Sequence, residues 1–411
     1  MFKKIMSVAL AYVGIIVGAG LSSGQDLMQY FISFGKWGLI GVIVLGILNA
    51  IFGRIIVTLG SYYRSNDHSE VLSKISHPVT NWILDISLVI SCFVIGFVMI
   101  AGAGSNLNQQ FGLPIWIGAL ICALLVISVS FLDFEKITNI IGIFTPIVIV
   151  MIVIIAGHTL LGQNFDLNQL HHSAVAMESP MPNIWMSVIN YFALCVMTGV
   201  SMAFVLGGSI IRIGVAEKGG TIGGSIVGFI IALASFVLFT RVDQLSGVDI
   251  PMLVLANEVH PWFAFLYAIV VFGLIFNTAF SLYYALAKRL AGESEPRFKL
   301  YLIISVTIGF ALSFLGFREL VGLMYPALGY IGLVMLLVLS SAWIREKNNV
   351  QEEKQLRRRM IKLISKKHKK NQIFTIADKK EYQNLSEESN VQTETIKIDI
   401  HDFVQQELSS I

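Results

Sequence analysis

The chain has 411 residues, 55% of them hydrophobic and only 13% charged, with a formal net charge of +3. A soluble globule is excluded, because so little polar surface could not cover so large an apolar core. Apolar runs of about 20 residues recur along most of the length, each suited to a bilayer core of about 30 Å, so the composition specifies a polytopic α-helical membrane protein.

Ten spans are expected, at roughly 5–34, 37–62, 80–111, 115–132, 137–161, 184–207, 220–240, 260–289, 298–316 and 319–344. Met1-Phe2-Lys3-Lys4 leads directly into span 1 without a small-residue cleavage site, so no cleavable leader is expected. Span 1 contains VGAGLSSGQD, Val17 to Asp26. Glycine at Gly18, Gly20 and Gly24 permits unusual dihedrals and close backbone approach. A break here exposes carbonyls from the upstream half-helix, and N–H groups with a positive dipole end from the downstream half. A bilayer tolerates such backbone only where protein or a polar cavity takes it up. Ser22 and Ser23 suit a helix cap or a ligand contact. Asp26, an acid inside the membrane, requires a cavity or a partner. The competing reading is helix packing, since Gly14 and Gly18, and Gly20 and Gly24, are four apart. Packing alone leaves the cluster Ser22, Ser23, Gln25 and Asp26 unexplained. A nucleotide loop is a poor reading, because GAGLSSG lacks the GxGxxG spacing and no P-loop lysine follows.

Further along, Arg54 can snorkel, and Asp85, Asp133 and Glu135 lie near span ends, where solvated charge is ordinary. Asn106, Asn108, Gln109 and Gln110 point to a wet vestibule at the outer end of span 3. Pro146 in span 5 and Pro326 in span 10 read as kinks. His158 and the pair His171-His172 lack further ligands for a metal. Span 6, with ALCVMTGVSMAF, is expected to break around Thr198-Gly199-Val200-Ser201, and Tyr191, beside Asn190, is placed to close over a ligand. Gly220, Gly224 and Gly228 in span 7 read as a packing stripe. Cys92, Cys122 and Cys195 fall inside apolar spans and read as small core residues.

With Lys3 and Lys4 in the cytoplasm, the inward connections carry Arg64, Lys74, Lys136, Arg212, Lys218, Lys288, Arg289, Arg297 and Lys299. The outward ones carry Lys36, Arg241 and Arg318. The positive-inside rule then places both termini in the cytoplasm. Broken spans at the head of each five make a 5+5 inverted repeat, about 5–161 and 184–344, with helices 1 and 6 interrupted. After this ten-helix domain, 1–345, comes a basic stretch, 346–371, with Leu356, Met360, Leu363 and Ile364 on one side. It reads as an amphipathic helix on anionic lipid of the inner leaflet, or as a solvated basic tail. Residues 372–411 are a polar cytoplasmic tail, either a small folded unit or disordered.

Ten spans in a 5+5 order with VGAGLSSGQD in span 1 resemble the YkvI-type bacterial membrane proteins, regarded as amino-acid permeases. More distantly they resemble the amino acid–polyamine–cation superfamily with the LeuT-type fold. The resemblance covers about the first 345 residues. It implies that Ala19, Gly20, Leu21, Ser22 and Ser23 line a substrate carboxylate, with Thr198, Gly199 and Ser201 opposite. It also implies a sodium site between span 1 carbonyls, at Gly14 and Val17, and Asn277-Thr278 of span 8, with Ser281 one turn on. Asn277 departs from the usual hydroxyl residue, although an amide oxygen can ligate a hard cation. Proton-coupled members carry a lysine inside span 5; Lys136 lies at that span's end, and Asp26 is the better proton or amine site. The implied function is secondary active transport of an amino acid or similar zwitterion, coupled to sodium or protons, with no cofactor. The alternative is a transporter-like sensor that binds such a ligand and signals through its tail. An intramembrane enzyme would need a nucleophile–base pair or metal cluster, and the sequence offers none.

Overall fold

The computed structural model describes residues 2–64, 68–132, 142–161, 165–292, 294–368 and 374–409. Asp133, Glu135 and Lys136 lie outside the described residues, and of Ala19 only the backbone is described. Among the described residues every regular element is helical.

Seven helices are long and apolar enough to cross a bilayer unaided: Lys36–Tyr63, Pro78–Phe111, Ile184–Gly208, Ile213–Thr240, Pro261–Ala291, Glu295–Leu315 and Phe317–His368. They occupy spans 2, 3, 6, 7, 8, 9 and 10. The shorter apolar helices Ile115–Val129 and Phe144–Leu160 occupy spans 4 and 5, and span 1 comes in pieces. The helices turn large apolar side chains outward, among them Ile43, Ile47, Leu124, Val150 and Phe229. In water that surface would be unfavourable; against lipid tails it is solvated.

The packing has internal symmetry. Spans 1, 2, 6 and 7 form one group, in which 1 packs on 7 as 6 packs on 2. Around it, 3 packs on 4 as 8 packs on 9, and 3 reaches 10 as 8 reaches 5. Exchanging the halves therefore reproduces most of the packing, as an inverted repeat requires.

Spans 2 and 7 meet backbone to backbone. A Cβ on Gly220 or Gly224 would overlap the carbonyl of Gly53 or Asn49, and one on Gly228 would lie 2.5 Å from the Gly46 Cα. Lipid gives no hydrophobic drive for helices to associate, so this close approach supplies the van der Waals contact instead.

Three expectations need correction. Span 6 is not interrupted: Ile184–Gly208 is one continuous helix through Thr198 and Ser201. No proline interrupts it, and the Thr198 hydroxyl donates to the Cys195 carbonyl one turn back at 3.0 Å, satisfying itself within the helix. Of the amides at the end of span 3, Asn106 and Gln109 are structural ties, while Asn108 stays exposed and donates to the Leu113 carbonyl. Asn106 Nδ2 donates to the Ala268 carbonyl, and Gln109 both donates to and accepts from the Ile250 backbone. Lastly, span 10 does not stop at Trp343 but runs on to His368 as a 52-residue helix, about 78 Å long at 1.5 Å per residue.

The apolar stripe of that extension does not face a leaflet. Met360, Ile361, Leu363 and Ile364 pack on Tyr382, Ile396, Ile400 and Val404 of two tail helices, Ile376–Glu388 and Thr393–Ser409. This three-helix unit is tied to the basic end of the spans. Arg357, 1% exposed, pairs with Glu353 at 2.7 Å and donates to the carbonyls of Ser61 and Tyr62 at the end of span 2. Arg64 pairs with Asp399, while Lys4 and Arg212 both pair with Glu407 and lie over the Phe403 ring. Removing one member of a buried pair leaves the other uncompensated, at about 3–5 kcal/mol. Arg357→Met should therefore loosen the tail, read as faster amide exchange across 376–409. The double change with Glu353→Leu should recover much of the protection. Equal loosening in both would show that the pair is not what holds the tail.

Candidate functional site

Span 1 is built from a long half-helix, Phe2–Ile16, and two short pieces, Ala19–Ser23 and Gln25–Tyr30. Val17 closes the first half by donating to the Val13 carbonyl at 2.8 Å. Gly18 is then extended, and no side chain caps the N–H groups that follow. Gly24 joins the two short pieces at φ +79°, a left-handed conformation in which a side chain would also meet Met252 and Leu238. The glycines divide by role. A Cβ at Gly14 or Gly18 meets nothing within 4 Å, whereas one at Gly20 would lie 2.8 Å from Asp26 Oδ2. The packing reading of Gly14 and Gly18 is thus overturned, and Gly20 is the residue that lets the acid fold back over the break.

Asp26 is 3% exposed. Its Oδ2 accepts from the Tyr191 hydroxyl at 2.5 Å and its Oδ1 from the Leu27 amide at 2.9 Å. Among the described residues no cation pairs with it. It borders a cavity of about 170 Å³ into which Val17, Gly18, Gly20 and Leu21 project from the break. Tyr191, Leu194, Cys195 and Thr198 come from one face of span 6, Thr278 and Leu282 from span 8, and Tyr325 from span 10. Ile95, Met99, Val227 and Ile231 complete an apolar wall.

Burial along span 6 is uneven. The face of span 6 carrying Tyr191 and Leu194 is buried, at 4% and 5%, yet the same face further along, at Met202 and Val205, is 52% and 38% exposed. Towards the far end the cavity is sealed by rings and hydrogen bonds. Tyr191 meets Tyr30 at a tilt and Phe31 edge-on, with centroids 5.1 and 5.3 Å away, and the Tyr30 hydroxyl donates to Asn190, which donates to the Pro326 carbonyl. Gln29 donates to the Arg318 carbonyl. Burial along this face of span 6 therefore decreases from the Tyr30 end toward the end bearing Lys3 and Lys4.

The structure brings Val17, Gly20, Leu21, Asp26, Tyr191, Thr198 and Thr278 to this cavity. It does not bring Ser22, Ser23, Gly199, Ser201, Gly14, Asn277 or Ser281 to the cavity lining. The Ser22 carbonyl accepts from Tyr267, and the Ser23 hydroxyl donates to the Gly20 carbonyl and accepts from the Gln25 amide, a bridge across the Gly24 turn, while neither short helix has a side chain at its N-cap. Gly199 packs against Ile16. Thr278 donates to the Leu274 carbonyl within its own helix, while the buried Asn277 Oδ1 has no hydrogen-bond partner. Tyr325 and Cys195 were missed by the sequence reading. Tyr325 adjoins Pro326, whose pattern by itself marks only a kink, and Cys195 in an apolar span has the sequence surroundings of a core residue. Arg54 and Asp85 pair with Glu217 and Arg289 respectively, both near the basic end, and carry no site.

No family model matches the chain. It is 24% identical over 336 residues to the membrane protein YkvI of Bacillus subtilis (strain 168), covering 80% of this chain and 93% of that one. It is 27% identical over 332 residues to the protein YyaD of the same organism, covering 80% and 94%. The structure of MhsT in complex with L-phenylalanine superposes with a TM-score of 0.55 at 14% identity, over 96% of this chain and 98% of that one. This is a LeuT-type fold in a YkvI-like membrane protein. Mhp1, a nucleobase-cation-symport-1 family transporter solved with bromovinylhydantoin bound, superposes with a TM-score of 0.52 at 15% identity, over 86% and 79%. The chain is therefore a multi-pass membrane protein in which the broken span 1, not span 6, supplies the irregular backbone of the fold.

Proposed function

We propose that the chain is a secondary active transporter of an amino acid or a similar small zwitterion. The observation that carries this reading is the cavity at the span 1 break, where backbone N–H groups without a side-chain cap and a buried carboxylate face a wall that is apolar apart from Tyr191, Cys195, Thr198, Thr278 and Tyr325. A ligand carboxylate suits the uncapped backbone at Gly18–Leu21, its ammonium suits Asp26, and its side chain suits Leu194, Ile95 and Met99. Structural neighbours with this fold include transporters crystallised with phenylalanine and a hydantoin. With Lys3 and Lys4 in the cytoplasm, the packed rings of Tyr30, Phe31 and Tyr191 close the outward side, and the exposed face of span 6 at Met202 and Val205 is the inward path.

The coupling ion is sodium or a proton. A buried amide oxygen left without a partner, as Asn277 Oδ1 is, suits a hard-cation ligand and supports sodium. Asp26 supports the proton. The test is thermal stabilisation of the purified protein by amino acids, amines and carboxylates, with sodium or potassium at acidic and neutral pH, followed by uptake into liposomes. Zwitterions should stabilise it more than either half-ligand. Equal stabilisation by simple amines would remove the carboxylate role of the break. The docked tail favours a second reading, a sensor signalling through residues 346–409. It predicts saturable binding with no flux in liposomes.

A further inference from the structure

A larger crevice, about 570 Å³, lies away from the transport cavity, between the extension of span 10 and the first residues of spans 1 and 7. Six basic side chains line it, Arg212, Lys218, Lys354, Arg357, Arg358 and Lys362, and no acidic one. Three are neutralised from outside: Arg212 by Glu407, Lys354 by Glu217 and Arg357 by Glu353. Lys218, Arg358 and Lys362 have no ion pair among the described residues and are exposed. The 28-residue helix Ile213–Thr240 begins in the crevice, and its N-cap residue, Arg212, gives it no side-chain cap. Its positive dipole end therefore adds to the three unpaired cations. The remaining wall is apolar, formed by Ile5, Ile213, Val215 and Ile361, all under 9% exposed.

Like charges gathered in one concave site repel each other and raise the local potential unless an anion sits among them. A soluble phosphate would use the cations and leave the apolar wall unexplained. An acyl-bearing phosphate uses both. Ile5, near the start of span 1, is part of the lining, which puts the crevice at the basic end, the side on which anionic inner-leaflet lipid would lie. We propose that this crevice binds one anionic phospholipid, its phosphate among Lys218, Arg358 and Lys362 and its glycerol and first acyl carbons along Ile5, Ile213 and Ile361. The lipid joins the extension of span 10 to the start of spans 1 and 7, and so steadies the tail on the transporter. This assignment does not depend on what the transport cavity carries.

The test uses the full chain in phosphatidylcholine nanodiscs, with and without about one-third phosphatidylglycerol. The readouts are melting temperature and native mass spectrometry of retained lipid. Phosphatidylglycerol should raise the melting temperature and leave one lipid bound. The triple change Lys218→Gln, Arg358→Gln, Lys362→Gln should weaken that retention at least about tenfold. A control triple, Lys347→Gln, Lys379→Gln, Lys380→Gln, removes the same charge from exposed sites elsewhere and should leave retention unchanged. Arg358→Gln alone, at an exposed position, serves if the triple fails to fold, and should weaken retention in the same direction. Inorganic phosphate giving the full stabilisation by itself would make the crevice a soluble-anion site and overturn the proposal. Equal loss in both triples, or no effect of phosphatidylglycerol, would overturn it as well.

Discussion

Asp26→Asn is expected to weaken binding of an ammonium-bearing ligand by about 10–100-fold, the loss of one charge-assisted hydrogen bond of roughly 1.5–3 kcal/mol. The change keeps the side chain's size: the single amide oxygen can still accept from the Leu27 amide, and the NH2 group in the place of Oδ2 can donate to the Tyr191 oxygen, so the break and its seal should remain. What disappears is the negative charge. A carboxylate held in apolar surroundings, with only a hydroxyl and one amide as partners, interacts strongly with any cation that enters the adjoining cavity. Binding is measured by thermal shift and flux in liposomes. A variant with wild-type affinity and flux would falsify the role of Asp26. Gly20→Ala tests the same geometry without touching charge. Its methyl group would lie 2.8 Å from Asp26 Oδ2 and must displace the carboxylate, so a comparable loss is expected.

Gly224→Leu should prevent stable folding, at a cost of about 3 kcal/mol or more from overpacking. The obstacle is the backbone of span 2 at Asn49 and Ala50, which cannot move aside as a flexible side chain would. Spans 2 and 7 would separate along the whole glycine stripe, loosening the group that contains both faces of the transport cavity. Gly14→Ala is the paired control. Nothing lies within 4 Å of its added methyl, and replacing a helical glycine with alanine contributes about 0.5–1 kcal/mol, so its melting temperature should hold or rise. Size-exclusion profiles and melting curves in detergent check both. If the two variants behaved alike, the distinction between packing glycines and open ones would fail.

The span positions were legible because lipid imposes a length and an apolar composition on every crossing helix. The break in span 1 was legible for a related reason: glycines, serines and an acid in mid-membrane have few uses other than irregular backbone. The Gly220, Gly224, Gly228 stripe was readable from spacing. Span 6 misled, because Thr198, Gly199 and Ser201 look like the span 1 cluster in composition. A threonine that bonds back to its own helix, and a glycine that merely clears Ile16, are compatible with an unbroken helix. The tail misled in a different way. An amphipathic stripe states that something apolar covers it, and leaves open whether that is lipid or, as here, the protein's own last two helices.

The amino-acid sequence by itself therefore determined the membrane class, the location of the spans, the basic end, and Asp26 as the residue to explain. Those are one-dimensional properties, set by hydropathy, charge and local backbone freedom. Tertiary structure alone decided that Asp26 meets Tyr191 across 165 residues and that Tyr325 and Cys195 share its cavity. It also decided that Asn277 keeps an unpartnered oxygen and that the tail folds back onto the basic end. Such pairings depend on which helix faces meet, and a repeating pattern of apolar side chains in lipid restricts those faces only weakly.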